Sequence, residues 1–124
     1  MGKINSFEDL IVWQKAIDLS AEIYKMSVKF PKEEIFGLTS QIRRASNSVS
    51  LNISEGSVRT TKTFINQLSI ARGSASEVLS ASILAHRLGF LTEKDIQNIR
   101  SFVTEITKML NSLISSLKTK IKIS

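Results

Sequence analysis

Apolar residues recur at spacings of three and four along almost the whole sequence, with few helix breakers between them. The clearest runs are Leu38, Ile42, Ala45, Val49 and Ile53, and then Ile96, Ile99, Val103, Ile106, Leu110, Leu113 and Leu117. An α-helix turns such spacing into one apolar stripe. The 124 residues contain one proline and five glycines, which favours long uninterrupted helices. The pattern predicts an all-α protein, an antiparallel up-down-up-down four-helix bundle in one domain over residues 1–124.

Capping residues and helix breakers predict the first two helices. The first helix is expected over residues 7–29, with Ser6 as its N-cap. Pro31 ends that helix and starts the next helical turn. Gly37 is expected to mark a break between this short turn and the main second helix, rather than a close backbone approach. Gly56 is then expected to cap the second helix in a left-handed conformation.

The second half of the sequence contains two more helices with clear boundaries. The third helix is expected to start at residue 60 or 61 and to end near residue 88, followed by Gly89 as its cap. Small residues at 71–75 predict a close crossing with another helix. Thr92 is the expected N-cap of the fourth helix. The tail over residues 118–124 either frays or extends that helix as a basic end.

A row of polar side chains runs beside the apolar stripe of the second helix. At 100° per residue, its members lie within about 40° of one line. They are Gln41, Ser48, Asn52, Glu55 and Arg59, with Arg44 close by. We predict that Gln41, Arg44, Asn52 and Glu55 form a polar network for helix packing and subunit assembly, in which Glu55 pairs with an arginine. The alternative is that Glu55 tunes a contact with a ligand or nucleic acid.

The formal net charge is +6, and the positive charges are unevenly distributed. From residue 43 to residue 76 there are five cations and one acid, and no acid follows Glu105. Such a balance attracts polyanions, although lysines that only keep the protein soluble would give a similar composition. The predicted nucleic-acid contacts are Arg43, Arg59, Lys62, Arg72, Lys118, Lys120 and Lys122. Aromatic residues do not alternate with these cations, so phosphate contact is favoured over base stacking.

Residues typical of catalytic and metal sites are scarce. Cysteine is absent, which excludes disulfides and thiolate ligands, and His86 is the one histidine. We interpret His86 as a satisfied residue at the edge of the core. No phosphate-binding glycine loop, nucleophile elbow or Glu-x-x-His motif is present. The sequence therefore predicts no enzyme, no metal and no cofactor. Without an apolar leader or a long apolar run, we expect a cytoplasmic protein that does not insert in a membrane.

Four stretches carry a specific combination of residues. They are residues 7–16, residues 30–45, residues 48–56 together with Arg59, and residues 70–77. This combination resembles the 23S rRNA intervening-sequence proteins, also called S23 or four helix bundle proteins. The resemblance extends over nearly the whole chain, with Ser54 standing where the family has an alanine before Glu-Gly.

This resemblance implies a bacterial four-helix bundle that assembles as a homopentamer. The family is similar to the accessory proteins of diversity-generating retroelements, which bind nucleic acid and a reverse transcriptase. The implied partners are further copies of the chain, RNA or DNA, and a nucleic-acid-processing protein.

Three functional hypotheses follow. The first is a non-catalytic basic homo-oligomer that binds RNA or DNA through phosphate contacts. The alternative is a protein-interaction scaffold in which Arg43, Arg44, Glu55 and Arg59 bind subunits to each other. The third is a small-molecule or enzymatic site in the bundle, in a polar cavity around Tyr24, Gln41 and Asn52.

Overall fold

The computed structural model describes residues 6–123, and four α-helices account for most of them. These helices are α1 (Ile11–Ser27), α2 (Leu38–Ser57), α3 (Thr61–Arg87) and α4 (Glu93–Ile123). No strand occurs among the described residues. The predicted all-α class is therefore confirmed, and α4 extends through the basic tail instead of fraying before it.

Polar contacts between neighbouring helices fix their relative direction. Ser74 Oγ of α3 donates to Ser48 Oγ of α2 at 2.9 Å, and Gln67 Nε2 donates to Glu55 Oε1 at 3.1 Å. Residue numbers thus rise along one helix as they fall along the other, so the two helices are antiparallel. The other neighbouring helices are antiparallel for the same reason. Ser27–Arg43 and Tyr24–Asn47 join α1 to α2, and Arg72–Asn111 and His86–Glu93 join α3 to α4. Lys15–Glu105 and Lys29–Asp95 join α4 to α1 and the residues that follow α1. The bundle is therefore up-down-up-down.

The core contains one apolar stripe from each helix. Its largest fully buried apolar side chains are Leu19, Ile23, Ile42, Ile53, Leu68, Ile99, Ile106 and Leu110. All five residues of the stripe predicted for α2 are buried. For α1, helical spacing predicts an inward stripe through Leu10, Trp13, Ile17, Tyr24 and Val28. This prediction is wrong for Ile17, Tyr24 and Val28, which are exposed, and the neighbouring row from Val12 to Met26 is buried instead.

The chain before α1 forms a 3-10 turn at Phe7–Asp9 rather than the start of the helix. Ser6 Oγ caps this turn by accepting from the Glu8 N–H at 3.1 Å. Leu10 is extended, with ψ of 121°, and separates the turn from α1. The expected start of the first helix at residue 7 was therefore four residues too early. The expected break at Gly37 is confirmed, since a 3-10 turn at Lys32–Glu34 precedes it and α2 begins after it.

The two glycines expected as helix caps behave differently. Gly89 has φ of +85°, and the Phe90 N–H closes the end of α3 by donating to the Ala85 carbonyl at 2.8 Å. Gly56 is not a left-handed cap, because α2 continues to Ser57 and Gly89 is the one described glycine with positive φ. Gly56 is buried against α3, where an added Cβ would lie 2.8 Å from Phe64 Cδ1. Close packing, rather than backbone conformation, requires glycine at this position.

The start of α4 is joined to the end of α1 through Asp95. The Asp95 carboxylate accepts from the Thr92 N–H at 3.0 Å, and the Asp95 N–H donates to Thr92 Oγ1 at 3.1 Å. Lys29 Nζ donates to the same carboxylate at 2.7 Å. Burial alone would raise the pKa of Asp95, but the hydrogen bonds with Lys29 and Thr92 and the positive charge of Lys29 together hold this pKa below its ordinary value.

We expect Lys29→Met to lower the free energy of unfolding by about 0.5–1 kcal/mol at pH 7. Because the folded pKa of Asp95 is depressed, its stabilising effect is present above the unfolded pKa and is lost as pH falls through the folded pKa. The difference between Lys29→Met and the parent protein should therefore shrink in acid. Urea unfolding at neutral and acidic pH measures it, with Lys94→Met as the control. A difference that is independent of pH would contradict this account.

Candidate nucleic-acid interface

The first half of α3 and the second half of α4 carry cations and no acids. Residues 56–76 contain Arg59, Lys62 and Arg72, and residues 106–123 contain Lys108, Lys118, Lys120 and Lys122, without one aspartate or glutamate. The two segments lie side by side, since an Arg72 guanidinium nitrogen donates to Asn111 Oδ1 at 2.7 Å. Antiparallel packing thus places next to each other two stretches without acidic residues that are far apart in the sequence.

These cations collect at one end of the bundle, where α2 ends, α3 begins and α4 ends. Lys62 lies ten residues from Arg72, roughly 15 Å along α3. Residues 118–122 lie a similar distance from Asn111 along α4, in the same direction, roughly 10–17 Å. We call this region the basic end, and it consists of Arg59, Lys62, Arg72, Lys118, Lys120 and Lys122. Glu55 of α2 contacts it through Arg59.

Four of the six cations of the basic end have no partner within residues 6–123. Lys62, Lys118, Lys120 and Lys122 are exposed, and none of them forms an ion pair or a side-chain hydrogen bond with that part of the chain. Their charges are therefore available to an external anion. Lysines used for structure would instead have carboxylates beside them, as Lys29 has Asp95.

The two arginines of the basic end keep their charge available despite contacts. Arg59 pairs with Glu55 at 3.4 Å, and both side chains are more than half exposed. Such a pair is worth little in water and can open for a stronger anion. Arg72 donates to the neutral amide oxygen of Asn111, and it forms no ion pair with a carboxylate of residues 6–123.

Arg43 lies elsewhere, at the far end of α2. Its guanidinium carbon lies 4.7 Å from the centre of the Tyr24 ring, and its Nε donates to Ser27 Oγ at 2.8 Å. Arg59 follows it by sixteen positions, just beyond the other end of α2, and α2 alone separates the two by roughly 20 Å. The structure therefore brings six of the seven predicted contact residues together and places Arg43 in the contact between α1 and α2.

The polar row of α2 is divided among three environments. In its middle, Asn52 Nδ2 donates to the Ser48 carbonyl at 2.8 Å and to Ser48 Oγ at 3.0 Å, and Ser74 joins this cluster from α3. The Ser74–Ser48 hydrogen bond in this part of the row joins α2 to α3. At its end Glu55 contacts Arg59 and Gln67, yet the pair is exposed within one chain rather than buried.

Gln41 and Arg44, at the start of the row, are exposed. No hydrogen bond or ion pair of either side chain is found among the described residues. They line a shallow groove of ≈ 520 Å³ between α2 and α3, together with Glu34, Phe36, Glu77, Leu84 and Leu88. This part of the predicted network has no partner within the described chain and faces outward.

The outer surface of α2 is poor in charge and carries exposed apolar side chains. Its 20 residues include three charged ones, Arg43, Arg44 and Glu55. Phe36, just before the helix, is 94% exposed, while Leu51 is 64% and Val58 79% exposed. We call the surface formed by Phe36, Leu51, Val58, Leu84 and Leu88 the α2 face. This apolar surface is not among the features predicted from the sequence, although the low charge of α2 is a signal for it.

The residues of the small-molecule hypothesis do not surround one cavity. The Tyr24 hydroxyl accepts from Asn47 Nδ2 at 2.9 Å on the α1 side of α2, whereas Asn52 faces α3. Tyr24 does not line the groove beside Gln41. The geometry gives this hypothesis no support.

A second groove, of ≈ 650 Å³, lies between α1 and α4. Its lining combines carboxylates and lysines, namely Asp18, Glu22 and Glu105 with Lys15 and Lys25, and Lys15 pairs with Glu105 at 3.4 Å.

Residues 6–123 contain no cluster of three or more side chains suited to holding a metal ion. His86 Nε2 lies 3.9 Å from Glu93 Oε2 at the bundle surface. Among the described helices, none is both long and apolar enough to span a bilayer.

Comparison with known proteins gives one family and one solved relative of note. The model of the 23S rRNA-intervening sequence protein family matches residues 8–112. A crystal structure from Bacteroides thetaiotaomicron VPI-5482, of a protein with unknown function from the S23 ribosomal protein family, is 28% identical with a TM-score of 0.77. The match covers 85% of this chain and 96% of that chain. No curated protein matches. Neither match names an enzymatic activity.

Proposed function

This chain belongs to the 23S rRNA-intervening sequence protein family, and we propose that it is a non-catalytic basic homo-oligomer that binds RNA or DNA through phosphate contacts. One observation carries the proposal: the basic end gathers six cations, four of which have no partner within residues 6–123. Neutralising phosphates releases condensed counterions, which supplies most of the free energy of sequence-independent binding.

Self-association would strengthen such binding. Each copy adds a formal charge of +6 and one more basic end, so several weak phosphate contacts act together on one polyanion. The α2 face supports this part of the proposal, since exposed apolar residues in a surface poor in charge are typical of protein interfaces. The resemblance described above suggests five copies. A bacterial cytoplasmic location is in keeping with a sequence without cysteine and with the bacterial relative.

The proposal predicts a large loss of binding when the end of α4 is made acidic. We expect Lys118→Glu, Lys120→Glu and Lys122→Glu together to weaken binding to a labelled structured RNA or DNA by about 100-fold or more, because phosphate contacts are replaced by repulsion. Fluorescence anisotropy across a salt series measures this. The matched control changes Lys25, Lys32 and Lys94 to glutamate, which alters the net charge equally but away from the basic end.

Two results would overturn the proposal. One is the absence of binding by the parent protein at low salt, and the other is an equal loss in the control variant, which would show that net charge alone matters. Circular dichroism of both variants checks that the bundle remains folded.

The α2 face favours a second candidate function, a protein-interaction scaffold without a direct role in nucleic-acid binding. In that case the exposed apolar residues of this face receive another protein, and the lysines serve solubility. Purification of the native-mass protein with and without nuclease distinguishes the two. A 260/280 nm absorbance ratio typical of protein alone before nuclease treatment, together with a partner retained afterwards, would favour the scaffold.

A further inference from the structure

We infer that the ligand of the basic end is double-helical nucleic acid, held from one side along the seam between α3 and α4. This inference rests on the proposed function and specifies its ligand. It comes from the register of the lysines on α4, from the shape of the surface they share with α3, and from the position of the aromatic rings.

The lysines of α4 do not all face the same way. At 100° per residue, Lys118 and Lys122 lie within about 20° of the direction of Asn111, whereas Lys120 lies about 180° away from it. Asn111 faces α3, because it accepts from Arg72. Lys118 and Lys122 therefore continue the line begun by Arg72, on the edge of α4 that borders α3. Lys120 lies on the opposite side of the helix.

The resulting row of cations is straight and rigid. Arg72, Lys118 and Lys122 follow the seam for roughly 17 Å, and Lys62 stands beside them on α3. Both helices are regular throughout this region. The two grooves described above are lined by residues outside this row. A straight row of cations suits the regular backbone of a duplex, whereas a flexible single strand is normally held in a groove.

Proteins that bind single strands also stack bases on exposed aromatic rings, and this end offers none among the described residues. Phe64, the sole aromatic residue in segments 57–76 and 106–123, is half-buried against Gly56. Phe7 and Trp13, at the start of α1, are half-buried and pack edge to face with ring centres 5.0 Å apart. Contact is thus restricted to phosphates and sugars, which a double helix presents on its outside while its bases are stacked within.

The test compares four labelled 20-mers at equal salt: an RNA duplex, a DNA duplex, oligo(U) and oligo(dT). We expect at least one duplex to bind about ten-fold or more tightly than both single strands. The double variant Lys118→Ala/Lys122→Ala should make the plot of log binding constant against log salt concentration less steep, by about two units of slope for each bound protomer. Lys118→Ala alone should reduce the slope by about one, and Lys120→Ala, on the other side of α4, should reduce it by clearly less. Lys94→Ala, the matched control in the first turn of α4 and away from the basic end, should leave the slope unchanged.

The outcomes separate this inference from the proposed function. Single strands that bind as tightly as the duplexes, or a Lys120→Ala effect equal to that of Lys118→Ala, would overturn the inference while leaving nucleic-acid binding intact. Absence of binding to all four oligonucleotides would overturn both. The two duplex arms show whether the double helix preferred is RNA or DNA.

Discussion

Leu51→Lys should convert the proposed oligomer into monomers. Leu51 is 64% exposed near the middle of the outer surface of α2, and in an assembly built on the α2 face its side chain would be buried against the next copy. A lysine there would bring an unpaired charge into a desolvated contact, which costs several kcal/mol per interface. We therefore expect the dissociation constant to rise by about 100-fold or more. Light scattering coupled to size-exclusion chromatography measures the mass.

Ile11→Lys is the matched control for this change. Ile11 is 60% exposed, close to the value for Leu51, but it lies beside Met109 and Leu113 at the contact of α1 with α4. The same substitution at this position should leave the mass unaltered. A parent protein that is already monomeric, or a Leu51→Lys variant of full oligomeric mass, would refute assembly through the α2 face.

Gly56→Val should lower the free energy of unfolding by about 2–3 kcal/mol. An added Cβ at this position would lie 2.8 Å from Phe64 Cδ1 and 3.1 Å from Gln67 Cβ, so the ring and the third helix must move apart. This is a severe loss, because the free energy of unfolding of a domain is only about 5–15 kcal/mol. Urea denaturation followed by circular dichroism measures the change.

Gly73 offers the opposite case in the same pair of helices. It is exposed, and a Cβ added there would meet no atom within 4 Å. Gly73→Ala should therefore raise the free energy of unfolding by about 0.5–1 kcal/mol, because alanine loses less backbone entropy in a helix. If the two substitutions change stability in the same direction, the close approach at Gly56 is not what requires glycine there.

The sequence predicted the helices and most of the core because three of the four helices have one apolar stripe each. In α1 two rows have helical spacing, one from Val12 to Met26 and the other from Trp13 to Val28. Periodicity cannot choose between them, since the choice depends on how the other helices pack against α1. The extended conformation of Leu10 was likewise hidden, because a capping residue precedes a 3-10 turn as readily as an α-helix.

The charges of the candidate site could be counted from the sequence, but their arrangement could not. The direction that Lys118, Lys120 and Lys122 take relative to α3 depends on the register of the two helices, which the Arg72–Asn111 contact fixes. The same limit applies to Arg43, whose position over the Tyr24 ring depends on the crossing of α1 and α2. A sequence pattern reports the order of residues along one helix, whereas a binding surface combines residues from several helices.

The Lys29–Asp95 ion pair has a consequence for the order in which the bundle assembles. It joins residues 66 positions apart, while the three other neighbouring pairs of helices are linked by short connections. Bringing the first and last helices together therefore carries the largest loop-closure entropy in the fold. Contacts of this kind form late, after local helix pairs have already restricted the chain. The charge pair and the Thr92 cap lie at this seam, where they hold the end of α1 against the start of α4.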